Sequence, residues 1–295
     1  MKVEGFDLDI IHGTEDGAIH ALLREGKLDA CEYSFGGYMA EKARGIPFIA
    51  IPAFPNRKFR LSYIFVNSAA GINGPKDLEG KRVGILAWTN TAGIWARGAL
   101  QDYYGVDLAR IRWCSAGSPP SDLPAGVSIQ PIPAGKLDAL LVSGELDAVI
   151  QADVLPSIKQ KDPRVRRLFA DYKTEEQAYF RQTGIFPISH IMTFPQEFVD
   201  RHPDAPLALL EAFRQSRDEA FASIEDQQVL SISWASALLD EQRALMGPNY
   251  WAYNVEDNVR PLEAMIGFAE AQGVTPRRVA LDSLFVPEAA ALPGF

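Results

Sequence analysis

Two segments of the chain share one pattern of apolar and polar positions. Residues 21–30 read ALLREGKLDA and residues 139–148 read ALLVSGELDA, identical in seven of ten columns. In each, an Ala/Leu run predicts the end of a helix. Gly26 or Gly144 then falls where a helix stops in the left-handed conformation, and a Leu-Asp-Ala step opens an apolar run. Each copy therefore predicts a helix, a tight turn and a strand. Recurrence of one αβ unit in any α/β protein would give such a pair; duplicated placement in two similar lobes accounts for it better. Ligands of open α/β sheets bind outside the carboxyl ends of the strands. Glu32 and Ser34 beyond the first strand, and Asp153 beyond the second, are thus expected to face one another across a cleft.

Residues 82–86 predict a short apolar strand, followed by Thr89, Asn90 and Thr91 before the helical run GIWARGALQDYY. Thr89 or Asn90 is the expected N-cap, and the N–H groups behind it suit a carboxylate. Residues 47–54 and 61–66 predict strands with Arg57, Lys58 and Arg60 between them; residues 187–194 predict another, carrying His190. From Pro195 onward the periodicity is helical, around 205–224 and 258–272, and these helices are expected to pack on the first lobe. Roughly sixty residues precede the repeat in the second lobe and about twenty in the first. A strand, loop and helix of one lobe thus lack a counterpart: either the first lobe is simpler, or the chain starts downstream of an original beginning.

Composition narrows the partners. A chain of 295 residues, 47% of them hydrophobic, can fill two compact lobes. Its net charge of -9 is spread among interspersed signs, without the basic patch that phosphate-backbone binding needs, so no nucleic acid partner is expected. MKVEGFDLDIIHGTED has no basic stretch leading into an apolar one, and no run approaches the ~20 apolar residues of a membrane span. A cytoplasmic protein without a membrane partner is expected. Cys31 and Cys114 show no zinc-ligand spacing, so no metal site is assigned. No nucleotide, pyridoxal or biotin signature occurs, and no cofactor is expected; a divalent ion between Glu32 and Asp153 is the one left open. An acidic chain repels an anionic ligand, so local arginines must reverse the field.

The runs IPAFPNRKFRLSYIFV, DLEGKRVG, TAGIWARGALQDYYGV, YFRQTGIFPISH, YWAYNVEDNVRPLEA, AQGVTPRR and LFVPEA are spread over nearly the whole chain. On these the chain resembles the 4,5-dihydroxyphthalate decarboxylase family. The resemblance implies a two-lobed α/β fold of the type II periplasmic-binding-protein-like kind, with a ligand cleft between lobes. Lobe 1 would comprise residues 1–82 and 188–295 and lobe 2 residues 83–187, with crossings near Gly84 and Pro187. It also implies non-oxidative decarboxylation of an aromatic dicarboxylate such as 4,5-dihydroxyphthalate. The alternative is a non-catalytic, ABC-transporter-type solute-binding protein for a small aromatic or anionic ligand. Leu61 departs from the family's FRHS, standing in place of its histidine, and the family's opening strand with a Gly-Asp-Tyr-Asp-like loop has no counterpart.

Such a reaction assigns roles. Guanidinium grips carboxylates through a bidentate fork, which makes Arg57 and Arg60 the leading clamp with Arg97 third, while Lys58 reads as a solvated loop cation. The ring carbon needs a proton from a group titrating near neutrality. His190, in a strongly apolar strand, is the first choice against a plain core role. Glu32 is the second, its other reading being a lobe-to-lobe hydrogen bond. His12, His20 and His202 read as surface. An apolar wall comes from Tyr33, Trp88, Trp251 and Tyr253, with Trp88 expected to touch ligand and Trp95 reading as core. Ser34, Thr89, Asn90, Thr91 and Asp153 complete the polar lining.

Overall fold

The computed structural model describes residues 3, 5–12, 18–120, 122–226 and 231–293. Its strands are β1 (Cys31–Ser34), β2 (Phe48–Ile51), β3 (Ile64–Asn67), β4 (Arg82–Ile85), β5 (Arg112–Ser115), β6 (Ile129–Pro131), β7 (Ala148–Ile150), β8 (Val165–Arg167) and β9 (His190–Pro195). They form a three-stranded sheet, β1-β9-β2, and a six-stranded sheet, β6-β5-β4-β7-β3-β8. Both copies of the repeat fold as their pattern requires. Helix α1 (Ala18–Arg24) passes through Gly26 at φ +68° into β1. Further along, α4 (Leu137–Ser143) passes through Gly144 at φ +81° into β7. Positive φ at these turns is what glycine supplies without steric cost.

The two sheets share an arrangement. β9 runs antiparallel between β1 and β2, as β3 runs antiparallel between β7 and β8. The larger sheet then continues past β7 through the parallel strands β4, β5 and β6. Among the described residues no strand continues the smaller sheet past β1.

Sheet membership moves one expected boundary. β3 lies in the larger sheet, because all four of its residues are buried and it is paired on both edges, by β7 and by β8. The chain therefore passes to the larger sheet between Ile51 and Ile64, earlier than the crossing expected near Gly84, and returns between Arg167 and His190. Gly84 sits inside β4, where a Cβ would meet Leu146 Cδ1 at 2.5 Å and Leu137 Cδ2 at 2.8 Å. The strand expected over 61–66 starts at Ile64, since residues Leu61–Tyr63 form a single 3₁₀ turn.

The further helices are α2 (Phe35–Ala43), α3 (Thr91–Gly98), α5 (Pro156–Lys159), α6 (Tyr172–Thr183), α7 (Gln196–Arg201), α8 (Ala205–Asp226), α9 (Ala235–Met246) and α10 (Val259–Ala271). α10 packs against both α2 and α3, so it spans the two halves instead of covering only the first. Its Leu262, Met265, Ile266 and Ala269 are fully buried at the three- and four-residue spacing of one helix face. Each large apolar side chain so buried contributes ~1.5–3 kcal/mol. No helix among the described residues is long and apolar enough to cross a membrane.

Candidate active site

The antiparallel register sets Ser34 opposite His190 and Glu32 opposite Met192, so the Glu32 and His190 side chains are diagonal neighbours on one face. His190 Nδ1 and Glu32 Oε1 lie 2.5 Å apart, with side chains 36% and 48% exposed respectively. The two residues weighed as rival proton donors are thus one hydrogen-bonded unit. A carboxylate on Nδ1 fixes the imidazole tautomer, leaving Nε2 as the nitrogen that can exchange a proton with a ligand.

The segment carrying the arginines lies along the approach to β9. The carbonyl of Asn56 accepts from the N–H groups of Ser189 (2.8 Å) and His190 (3.2 Å), and Arg57 bridges to Ile188. Arg57 donates from Nη1 to Asn258 Oδ1 and from Nη2 to the Phe186 carbonyl, both at 2.7 Å. Its guanidinium also sits 4.6 Å over the Phe186 ring. Arg60 donates from Nη2 to Ser189 Oγ at 2.5 Å and from Nη1 to the Ala152 carbonyl at 3.1 Å. Burial pushes Arg57 down to about 9 and Arg60 down to about 10. Among the described residues neither is ion-paired, and the buried Nε of each, like Asn56 Oδ1, has no hydrogen-bond partner. The forks expected to grip carboxylates are therefore committed to protein acceptors, and what each arginine retains is its charge and one N–H. Arg60 has the Asp153 and Glu176 carboxylates within electrostatic range but beyond ion-pair contact, whereas among the described residues Arg57 has only Tyr253. Burying a charge without close pairing is costly, a cost that an anion brought nearby reduces.

The other expected residues divide. Ser34 is the N-cap residue of α2. Thr91 Oγ1 accepts from Gly36 N–H at 2.9 Å, joining the start of α2 to the start of α3. Asn90, rather than Thr89, caps α3 by accepting from Gly93 N–H. The carbonyl of Thr89 is close enough to Gly36 that a Cβ there would sit 2.7 Å from it. Asp153 is 81% exposed and lies 4.0 Å from Lys58, whereas Glu32 is paired with His190. Trp251, half-buried, donates to the Phe54 carbonyl at 3.1 Å and packs on Phe186. Tyr253 is buried within electrostatic range of both Arg57 and Glu32.

Trp88 and Arg97 correct the expectation that they face a ligand. Both are fully buried. Trp88 Nε1 donates to the Gln272 carbonyl, and the Arg97 guanidinium stacks 3.9 Å over Trp88 while donating to Gln272 Oε1. Together they lock α3 to the end of α10, a cation covered by an indole and satisfied largely by amide oxygens. Trp95 is core, its Nε1 donating to the Ile188 carbonyl. Leu61 is buried, so the position where the resemblance implied a histidine holds an apolar side chain packed in the core.

His12 and His202 are exposed, as expected of surface residues, but His20 is not. Its ring stacks on Tyr33 at 3.9 Å, and its Nε2 accepts from Ser34 N–H at 3.3 Å. The signal available in the sequence was its three-residue spacing from the buried Leu23 on the same short helix. Among the described residues no three His, Cys, Asp or Glu side chains are grouped to hold a metal ion. A groove of about 460 Å³ lined by Tyr103, Tyr179 and Phe268 is bordered by none of the expected site residues.

Comparison with known proteins adds to this geometry. The sequence matches the family described as NMT1/THI5 like over residues 2–227. The 4,5-dihydroxyphthalate decarboxylase of Comamonas testosteroni is 31% identical over 97% of this chain and 91% of its own length. That of Pseudomonas putida is 30% identical over 40% of this chain and 46% of its own. Among solved structures, the ligand-binding component of an ABC-type import system from Staphylococcus aureus aligns with a TM-score of 0.58 at 11% identity, over 97% of this chain and 88% of that one. The periplasmic aliphatic sulphonate binding protein of Escherichia coli aligns with a TM-score of 0.52 at 16% identity, over 90% and 82%. These structural likenesses bear on the fold: a two-lobed α/β arrangement of the solute-binding type.

Proposed function

This chain belongs to the NMT1/THI5-like family and to the family of 4,5-dihydroxyphthalate decarboxylases, and from that premise we propose that it releases carbon dioxide from an aromatic dicarboxylate such as 4,5-dihydroxyphthalate. The observation that carries the reading to particular residues is a juxtaposition. Two buried arginines with no contact ion pair among the described residues, Arg60 having Asp153 and Glu176 only within electrostatic range, lie on the segment that braces Ser189 and His190, and His190 is bonded to Glu32.

In the proposed reaction Arg57 and Arg60 attract and orient the substrate carboxylates, mainly through charge, with Ser34, Trp251 and Tyr253 bordering the ring. The hydroxyl para to the departing carboxylate makes its ring carbon electron-rich. His190 delivers a proton from Nε2 to that carbon, and the Glu32 carboxylate on Nδ1 stabilises the imidazolium that donates it. The bond from ring to carboxylate then breaks, its electron pair restores the aromatic ring, and carbon dioxide leaves. One proton is consumed and the product is 3,4-dihydroxybenzoate. Positioned proton transfer of this kind contributes ~10²–10⁴-fold. Asp153 and Lys58 form an exposed pair at 4.0 Å that a closing cleft would bring toward the ligand.

The test is chromatographic. The purified protein is incubated with 4,5-dihydroxyphthalate, in one arm with a chelator and in another with added magnesium or manganese. Appearance of 3,4-dihydroxybenzoate supports the enzyme, and equal rates in the two arms place the chemistry on side chains alone. Saturable binding without product in either arm would assign a solute-binding role instead.

A further inference from the structure

Among the described residues β1 has an outer edge without a neighbouring strand, which its counterpart β7 lacks. Phe35 N–H bonds to the Ser189 carbonyl on the β9 side. By the alternation of an antiparallel ladder, the N–H of Ser34 must point the other way. In the larger sheet that side of β7 is occupied by β4, whose Gly84 and Ile85 pair with Val149 and Ile150. At β1 the position is taken by one side chain, as His20 Nε2 accepts from Ser34 N–H at 3.3 Å.

That hydrogen bond defines the ring. A nitrogen that accepts carries no proton, so this contact corresponds to the neutral ring with its proton on Nδ1. Its plane is fixed by stacking on Tyr33 at 15°. The Tyr33 hydroxyl is held in turn by Arg24 at 2.8 Å, with Glu41 at 3.5 Å. Burial keeps the imidazole below its ordinary pKa, and His190 and Arg24 act in the same direction, while a hydrogen bond to the Glu32 backbone and the Glu32 charge oppose them. The charged and titratable groups around it are therefore Arg24 on its own helix, Cys31, Glu32 and Tyr33 on β1, His190 on β9 and Glu41 on α2.

We propose that His20 is a positioning residue for the Glu32–His190 pair: a neutral acceptor that pins the free edge of β1 opposite His190 and leaves Glu32 to pair with His190 alone. The inference rests on His190 as proton donor in the proposed decarboxylation, but its geometric core stands without that chemistry. A charged side chain at this position would draw Glu32 away from His190. An apolar one would leave the Ser34 amide without an acceptor and let β1 shift. An amide would substitute for the ring, since its oxygen can accept the same N–H.

Three variants separate these effects: His20→Gln, His20→Phe and His20→Lys. Two readouts are taken on each, kcat and KM for 4,5-dihydroxyphthalate, and the ¹H–¹⁵N resonances of the His190 ring in ligand-free protein. The expected result is a fall in kcat of tenfold or more for His20→Phe and His20→Lys with KM within about twofold, and recovery to within about threefold of the parent in His20→Gln. The His190 ring resonances should move in the first two variants and stay near the parent in the third. If the parent does not decarboxylate but the resonances follow this order, the positioning role holds and the decarboxylase reading fails. Unmoved resonances in all three variants, or equal losses in His20→Gln and His20→Phe, would overturn the proposal.

Discussion

β1 and β7 end the two copies of one repeat, yet the residues that follow them in register have opposite characters. Counting on from the shared Leu-Asp-Ala step, Glu32 falls in the column of Ile150, and Ser34 in that of Ala152. Ile150 is 2% exposed, paired with Ile85 of β4 on one side and Ile64 of β3 on the other. Glu32 stands on a strand with a single neighbour among the described residues and is half in solvent. An ionised carboxylate in the place of Ile150 would be desolvated without a partner, at a cost of several kcal/mol. At an edge that cost is absent, and a carboxylate can serve chemistry. The larger sheet is thus scaffold. In the proposed site the chain just beyond β7 contributes backbone, chiefly the Ala152 carbonyl that receives Arg60, while the smaller sheet contributes the Glu32 and His190 side chains.

The sharpest way to break this division is to remove the donor from the smaller sheet. His190→Asn is expected to lower kcat by about 10²–10⁴-fold while leaving calorimetric binding of the dicarboxylate within a few-fold. Normal turnover would move the donor elsewhere, with Glu32 next in line. Next in size, Arg60→Ala should weaken dicarboxylate binding by ~2 kcal/mol or more, about 30-fold, and should also remove the bridge that Arg60 makes between Ser189 and Ala152. Unchanged affinity in the titration would separate Arg60 from the ligand.

A scaffold mutation should do the reverse. Gly84→Ala forces a Cβ against Leu146 and Leu137 inside the six-stranded sheet. Overpacking of that kind costs ~1–3 kcal/mol, so denaturant unfolding should shift while KM stays put. A changed KM without lost stability would mean that the larger sheet does more than support. The smallest expected effect concerns pH. The folded chain holds His20 below its ordinary pKa through burial. From 6.5 down to that lowered value the unfolded chain binds more protons, so stability rises with pH across this window and is lost as pH falls through it. His20→Gln should flatten that part of the stability curve, and an unchanged slope would show that other groups set it.

Much of this was legible in the sequence, and the failures have physical causes. The repeat located both helix–turn–strand units because glycine at a left-handed turn is a local requirement. Glu32 and His190 were visible as separate candidates, but their pairing depends on strand register, which no local pattern encodes. The boundary moved because β3, as apolar as a strand of either half, is placed by partners distant in sequence. Trp88 misled because a tryptophan in a loop ahead of a helix reads as exposed, while its burial depends on Arg97 and on Gln272 from the far end of the chain. His20 was missed for the same kind of reason. Its flanks, Glu15, Asp16 and Arg24, look like surface, whereas its contact is the Ser34 amide of β1, which only the fold supplies.

The most direct test follows the proton. Parent protein and His190→Asn are each given 4,5-dihydroxyphthalate in heavy water, with released carbon dioxide and ring deuterium measured together. The account predicts one carbon dioxide per deuterium placed on the vacated ring carbon in the parent, and both lost in the variant. Carbon dioxide released by the variant at the parent's rate, or tight binding by the parent with none released, would contradict it.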